Sequence, residues 1–135
     1  MPPVSYGLSQ RSLGLLEGVH GDLVAVVRRA IELTTVDFTV IEGLRTAERQ
    51  AELVRQGASR TMRSRHLKGA DGYGHAVDLA AIHEGKVTWR SEAYRTLAPW
   101  VKLAARDLRI PIEWGGDWHD FVDMPHWQLP QERYP

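Results

Sequence analysis

Helical and strand-like stretches alternating within one short chain are compatible with an α+β domain, and three observations carry that expectation. Leu23, Val26, Val27, Ala30, Ile31 and Leu33 recur at the three-to-four spacing of an amphipathic helix. Residues 36–44 (VDFTVIEGL) are rich in β-branched and aromatic side chains, and residues 74–82 (GHAVDLAAI) return to the same strand character. Glu84-Gly85-Lys86 then turns the second of these strands into residues 87–89, a hairpin and therefore an antiparallel pair. At 135 residues and 15.3 kDa the chain fits a single domain, 1–135, that buries roughly two-thirds of its unfolded surface.

Taken in order, residues 9–19 predict a short opening helix with Leu13, Leu15 and Leu16 apolar, and Gly18 and Gly21 punctuate the join to the next. Asp22 is the expected N-cap of that second helix, with Arg28, Arg29 and Glu32 on its wet side. Gly43 weakens the end of the first strand, and Thr46 caps a helix over residues 47–56 that Gly57 stops. Residues 58–73 show neither period and carry Gly69 and Gly72, which predicts a long surface loop. After the hairpin, Ser91 is the expected cap of a helical stretch bearing Leu97, Val101, Leu103, Ala104 and Leu108. Pro99 has no N–H to donate, so that stretch is either one kinked helix or a turn followed by a second helix. Residues 110–114 predict a strand, Gly115-Gly116 a tight turn, and residues 124–129 a last strand entered through Pro125.

Composition excludes several function classes. Lys plus Arg and Asp plus Glu are both 17, which leaves no electrostatic case for nucleic acid or an anionic membrane as partner. There is no cysteine, so disulfides and thiolate metal sites are out, and His, Asp and Glu are the strong metal ligands available. Met1 to Gly7 lacks a basic region followed by an apolar run, and no stretch approaches the ~20 apolar residues of a membrane span. The expectation is a product made in the cytoplasm without a signal peptide and without stable membrane insertion. Four of the five Trp (Trp100, Trp114, Trp118 and Trp127) fall in the last third, which suits a core wall or a binding cleft.

The residues with chemistry stand in two places. Ser64-Arg65-His66 and Gly74-His75-Ala76-Val77-Asp78 set a histidine and a carboxylate on either side of a glycine-containing loop, and Asp123-Met124-Pro125-His126 adds a second imidazole with a carboxylate three residues before it. A catalytic zinc takes three protein ligands and keeps a fourth position for water, and His66, Asp78 and His126 supply a two-histidine, one-carboxylate set. Strand alternation puts Ala76 and Asp78 on one face, so His75 points away from Asp78. Asp123 is the candidate base for a zinc-activated water, and Arg45, at the junction of a strand and the Thr46-capped helix, is the candidate cation for the oxyanion. Bland alternatives stand beside these: Arg45 paired with Glu42 or Glu48, Glu113, Asp117 and Asp120 as solvated carboxylates, and no functional role for His20, His83 or His119.

These pieces resemble the zinc-dependent peptidoglycan peptidases, a family that includes D-alanyl-D-alanine carboxypeptidases, D-Ala-D-Ala dipeptidases and phage L-alanyl-D-glutamate endolysins. The likeness rests on Ser64-Arg65-His66 with Gly74-His75-Ala76-Val77-Asp78, on Asp123-Met124-Pro125-His126-Trp127, on Gly43-Leu44-Arg45-Thr46 running to Gln50 and Leu53, and on the Trp114-Gly115-Gly116-Asp117-Trp118 turn. It implies an α+β fold of the hedgehog/DD-peptidase kind, a small antiparallel sheet carrying the zinc with helices packed on one side. It also implies one zinc per chain on His66, Asp78 and His126, Asp123 as base, Arg45 steadying substrate or oxyanion, and Ser64 and Trp114 beside the substrate.

The activity implied is that of a phage-type endolysin cutting the L-Ala–D-Glu bond of the peptidoglycan stem peptide, acting as a monomer on the cell wall after a partner such as a holin permeabilises the membrane. The alternatives are a D-Ala-D-Ala carboxypeptidase or dipeptidase and, in another class, a non-catalytic zinc-binding or wall-binding domain; a metal-dependent nuclease is a weaker rival, given the neutral charge. Asp123 and Arg45 argue against the non-catalytic reading, because a structural zinc needs neither. Two departures from the family pattern are visible. Residues 67–73 (LKGADGY) stand between His66 and Gly74 where two residues are usual, leaving open substrate contacts, a lid or a second ion at Asp71. Position 44 is Leu where an aromatic is common.

Overall fold

A computed structural model describes residues 5–59 and 61–135; the start of the N-terminal stretch and one residue of the long loop lie outside them. Among the described residues the elements are α1 (Gln10–Leu15), α2 (Gly21–Leu33), β1 (Phe38–Glu42), α3 (Ala47–Arg55), β2 (Ala76–His83), β3 (Lys86–Val87), α4 (Ser91–Leu108), β4 (Glu113–Trp114) and β5 (His126–Gln128). The strands form one antiparallel sheet ordered β1-β2-β5-β4, with β3 hairpinned onto the far end of β2. Glu84 and Gly85 make that hairpin turn with φ of 52° and 78°, the left-handed pair that suits the twist of a two-residue loop.

The core follows from the alternation of β2. Val77, Leu79 and Ala81 join Leu23, Val26 and Val27 of α2 and Leu97, Val101 and Ala104 of α4 in one buried cluster, so the two long helices cover one face of the sheet. Each of the Val and Leu side chains, fully buried, contributes about 1.5–3 kcal/mol. Tyr94 ties α4 to the sheet twice, accepting from Ala81 N and donating to the Thr88 carbonyl. The other face carries Asp78 and is bordered by α3.

Several local expectations are corrected. α4 runs unbroken through Pro99: the proline ring lies on the exposed side, while Leu97, Ala98 and Val101 hold the helix down by burial. Its N-cap position is Arg90, without a side-chain bond, and Ser91 is the first helical residue. α2 is capped by His20, whose Nδ1 accepts from Asp22 N, while Asp22 lies in the first turn and accepts from Tyr134 Oη. Thr46 caps α3 as expected, and Ser9, read as the first residue of the opening helix, is instead the N-cap of α1. The strands predicted over 110–114 and 124–129 shrink to β4 and β5: the end of α4 takes Ile110, whose N donates to Ala105 O, and the backbone bond from His126 N to Asp123 O takes the residues before β5.

Candidate metal centre

The site is written in the sheet's register. Asp78 on β2 pairs across to His126 on β5 and, on its other side, to Glu42 on β1. A bulge between Val40 and Glu42 skips Ile41, which brings Glu42 rather than Ile41 opposite Asp78. A polar row, Glu42, Asp78 and His126, therefore crosses three neighbouring strands on the face away from the long helices. The next row holds Gln128 beside Glu113.

His66 arrives from the loop after α3. Its backbone carbonyl accepts from Arg45 N at 2.8 Å and its ring is buried. His66 Nδ1 lies 2.9 Å from the Gly43 carbonyl, which can only accept, so Nδ1 carries the hydrogen and Nε2 presents its lone pair to Asp78 Oδ1 at 3.1 Å. His126 is fixed in the mirror sense. Glu113 accepts from Gln128 Nε2 at 3.1 Å, which turns Gln128 Oε1 toward His126 Nε2 at 2.8 Å and leaves His126 Nδ1 facing Asp78 Oδ1 at 3.3 Å. Both rings thus aim one unprotonated nitrogen at the same carboxylate oxygen, with neutral acceptors behind them.

One ligand atom from each of His66, Asp78 and His126 lies within 4.8 Å of the others, and among the described residues these three form the one such group. Two neutral imidazoles, a carboxylate and outward N–H groups already satisfied make a donor set that fits a divalent metal. Where hydrogens rather than a metal occupy those inner nitrogens, burial pushes the Asp78 carboxyl up, but hydrogen bonds from His126 and His66 outweigh it and hold the group well below the usual carboxylate range. Burial likewise disfavours the His126 imidazolium, and the bond and charge of Asp78 more than reverse that.

A cleft of about 480 Å³ opens over this centre, lined among others by Arg45, Ser64, Trp118 and Asp123. The Asp123 carboxylate makes no side-chain hydrogen bond among the described residues, and burial followed by the Asp78 charge raises it above its ordinary value. Its backbone is held by Gly115: Asp123 N donates to Gly115 O at 3.0 Å, and a Cβ at Gly115 would stand 2.2 Å from the Asp123 carbonyl oxygen. Arg45 grips both oxygens of Glu42 at 2.6 Å, donates through Nη1 to Gln50 and Ser64, and places Nη2 4.0 Å from Asp78. The pairing with Glu42 coexists with a place on the cleft wall.

The structure therefore gathers His66, Asp78, His126, Asp123, Arg45 and Ser64 around one opening, and sets Trp114 elsewhere. Trp114 is buried, stacks on Trp127 and donates its indole N–H to the Met124 carbonyl; Trp118 stands at the cleft instead, its ring 5.2 Å from that of His126. Residues 67–73 line no part of the cleft among the described residues, and Asp71 bonds to His75. Leu44 packs against Gly18 and Gly74 away from the opening. Gln128, Glu113 and Gln50 were not singled out from the sequence as site residues. The signal for Gln128 was present, since it follows His126 by two in a strand and must share its face.

Comparison with known proteins sets this fold and site among the peptidases. More particularly, the chain belongs to the phage L-alanyl-D-glutamate peptidase family, whose model matches residues 4–128. It is 31% identical over 120 residues to the L-alanyl-D-glutamate peptidase of Escherichia phage T5, covering 86% of this chain and 84% of that one. It is 35% identical over 127 residues to the L-alanyl-D-glutamate peptidase of Listeria phage A118, covering 92% of this chain but only 42% of that longer protein. The crystal structure of Serratia marcescens L-Ala D-Glu endopeptidase ChiX superposes with a TM-score of 0.87 at 44% identity, over 98% of this chain and 95% of that one.

Proposed function

We propose that this chain hydrolyses the L-Ala–D-Glu bond of peptidoglycan stem peptides as a zinc peptidase. The observation that carries the reading is the pair of imidazoles turned onto Asp78 with an uncommitted carboxylate, Asp123, in the same cleft. His66, Asp78 and His126 would hold a zinc ion, which when bound would supply Lewis acidity for a water and the scissile carbonyl. Asp123, its affinity for a proton raised by burial, takes the water's proton and returns it to the departing nitrogen of D-glutamate. Arg45, immobilised by Glu42 and Gln50, turns its remaining Nη2 donor toward the charge that builds on the scissile oxygen. Ser64, held against Arg45, borders the peptide's path.

Digesting purified peptidoglycan and sequencing the new ends by mass spectrometry tests this reading. New N-terminal D-Glu is the expected product; release of D-Ala alone would transfer the activity to a D-Ala-D-Ala carboxypeptidase or dipeptidase. The same reading extends to action on the cell wall as a monomer after a holin-type partner opens the membrane, and its support is the kinship with phage enzymes. No described helix is long and apolar enough to cross a membrane.

A further inference from the structure

Three arginines line the cleft among the described residues, and they are not equivalent. Arg45 is locked by Glu42, Gln50 and Ser64. Arg65 turns its Nη2 to the carbonyls of Leu129 and Tyr134, each at 2.8 Å, and so braces the C-terminal tail. Arg63 is exposed, and only its backbone is engaged, N to Thr61 Oγ1 at 2.9 Å; its guanidinium has no partner among the described residues. The acids on the same walls are committed otherwise: Glu42 to Arg45, Asp78 to the two histidines, and Asp123 to the proton. Among the described residues the cleft thus presents one cation whose charge no side chain answers.

The substrate proposed above supplies the answer. A D-glutamate that continues the peptide through its γ-carboxyl keeps a free α-carboxylate on the carbon bonded to the scissile nitrogen. That anion must lie beside the reacting bond, in a cleft that already holds the carboxylates of Asp78 and Asp123. A guanidinium on the cleft wall, such as that of Arg63, would offset the repulsion and can grip both oxygens at once. We propose that Arg63 is the specificity-determining residue that reads this α-carboxylate, selecting the acid over its α-amide, D-isoglutamine. The proposal rests on the L-Ala–D-Glu reading of the reaction.

Two synthetic peptides test it, L-Ala-γ-D-Glu-L-Lys and the same peptide with the glutamate α-carboxyl amidated, each followed by mass spectrometry with the zinc-loaded enzyme. Wild type should cleave the acid with kcat/KM roughly ten- to a hundredfold above the amide, the range for one charge-assisted contact. Arg63→Gln should lose that factor on the acid and keep the wild-type rate on the amide, while Arg63→Lys should retain part of the preference. Arg63 is exposed and its side chain makes no hydrogen bond or ion pair among the described residues, so both variants should fold, which their melting curves check. Equal wild-type rates on the two peptides, or an unchanged preference in Arg63→Gln, would overturn the assignment while leaving the proposed reaction intact. Failure of the wild type to cut either peptide between L-Ala and D-Glu would instead bring down that reaction, and this assignment with it.

Discussion

Two clusters in this domain have the same composition, two histidines and one aspartate, and do different things. His66, Asp78 and His126 stand on the cleft face of the sheet; His20, Asp71 and His75 gather just before the start of β2, and His75 and Asp78 are only three residues apart in the chain. In the first cluster the outer nitrogens face Gly43 O and Gln128 Oε1, which leaves the inner nitrogens able to hold a metal ion. In the second, His75 Nε2 spends its hydrogen on Asp71 Oδ2 at 2.8 Å, and His20 Nδ1 is consumed as the cap of α2. His20 Nε2 is 3.9 Å from Asp71, and the His20 ring packs edge-on against Tyr73 and Tyr134. The second cluster latches the loop after His66 to α2 and the C-terminal tail. What separates a ligand set from a latch is the acceptor behind each ring, not the residue types in front.

The sharpest way to break this contrast is to remove chemistry from one cluster and look for metal loss in the other. Asp123→Asn should lower turnover by about 10²–10⁴-fold with zinc content unchanged, and His126→Ala should lose both. His75→Ala should keep its zinc by elemental analysis; a metal-free His75→Ala that is still folded would erase the distinction between the clusters. A smaller effect is expected from the outer partner. Gln128→Ala removes the acceptor that fixes the His126 tautomer, so zinc affinity, read by competition with a chromogenic chelator, should fall about 10–100-fold.

Two of the three candidate ligands were legible because each sits where a local rule applies, while His66, in a loop, was pointed to by the family resemblance. Asp78 lies in a strand whose alternation assigns its face, and Pro125 marks where the strand bearing His126 begins. Thr46, Gly57 and the Glu84-Gly85 turn were legible for the same reason, each being a short-range backbone device. What stayed hidden depends on register between distant segments. The bulge at Ile41 that seats Glu42 opposite Asp78, and the Gln128–Glu113 pair that orients His126, appear only once β1, β2, β5 and β4 are laid side by side. The continuity of α4 through Pro99 was hidden likewise, since burial of Leu97, Ala98 and Val101 against α2 decides it. His20 showed no capping signature because histidine is rarely the residue that does this work.

The smallest effect sharpens the account of the latch. Asp71→Asn should leave zinc and turnover in place and lower stability by at most about 1 kcal/mol, because the carboxylate is partly exposed and its pairing is screened. The deficit should depend on pH. The bond from His75, opposed by partial burial and helped by Tyr73 N–H, lowers the Asp71 carboxyl from its ordinary 3.8 in the folded chain. Above that value the carboxylate is ionised in both folded and unfolded states, and the latch contributes fully. As pH falls below it the unfolded chain takes up the proton first, and the contribution drains away as pH passes the lowered folded value. Asparagine has no such proton, so in urea melts run from about pH 5 downward, below the ordinary histidine range, the gap between wild type and Asp71→Asn should close as pH falls below about 4. Other carboxylates titrate in the same range, but both proteins carry them and their effects cancel in the difference, provided both are measured metal-free. A gap that persisted unchanged at pH 2 would show that asparagine disturbs the loop by its shape, and that the Asp71 charge holds nothing.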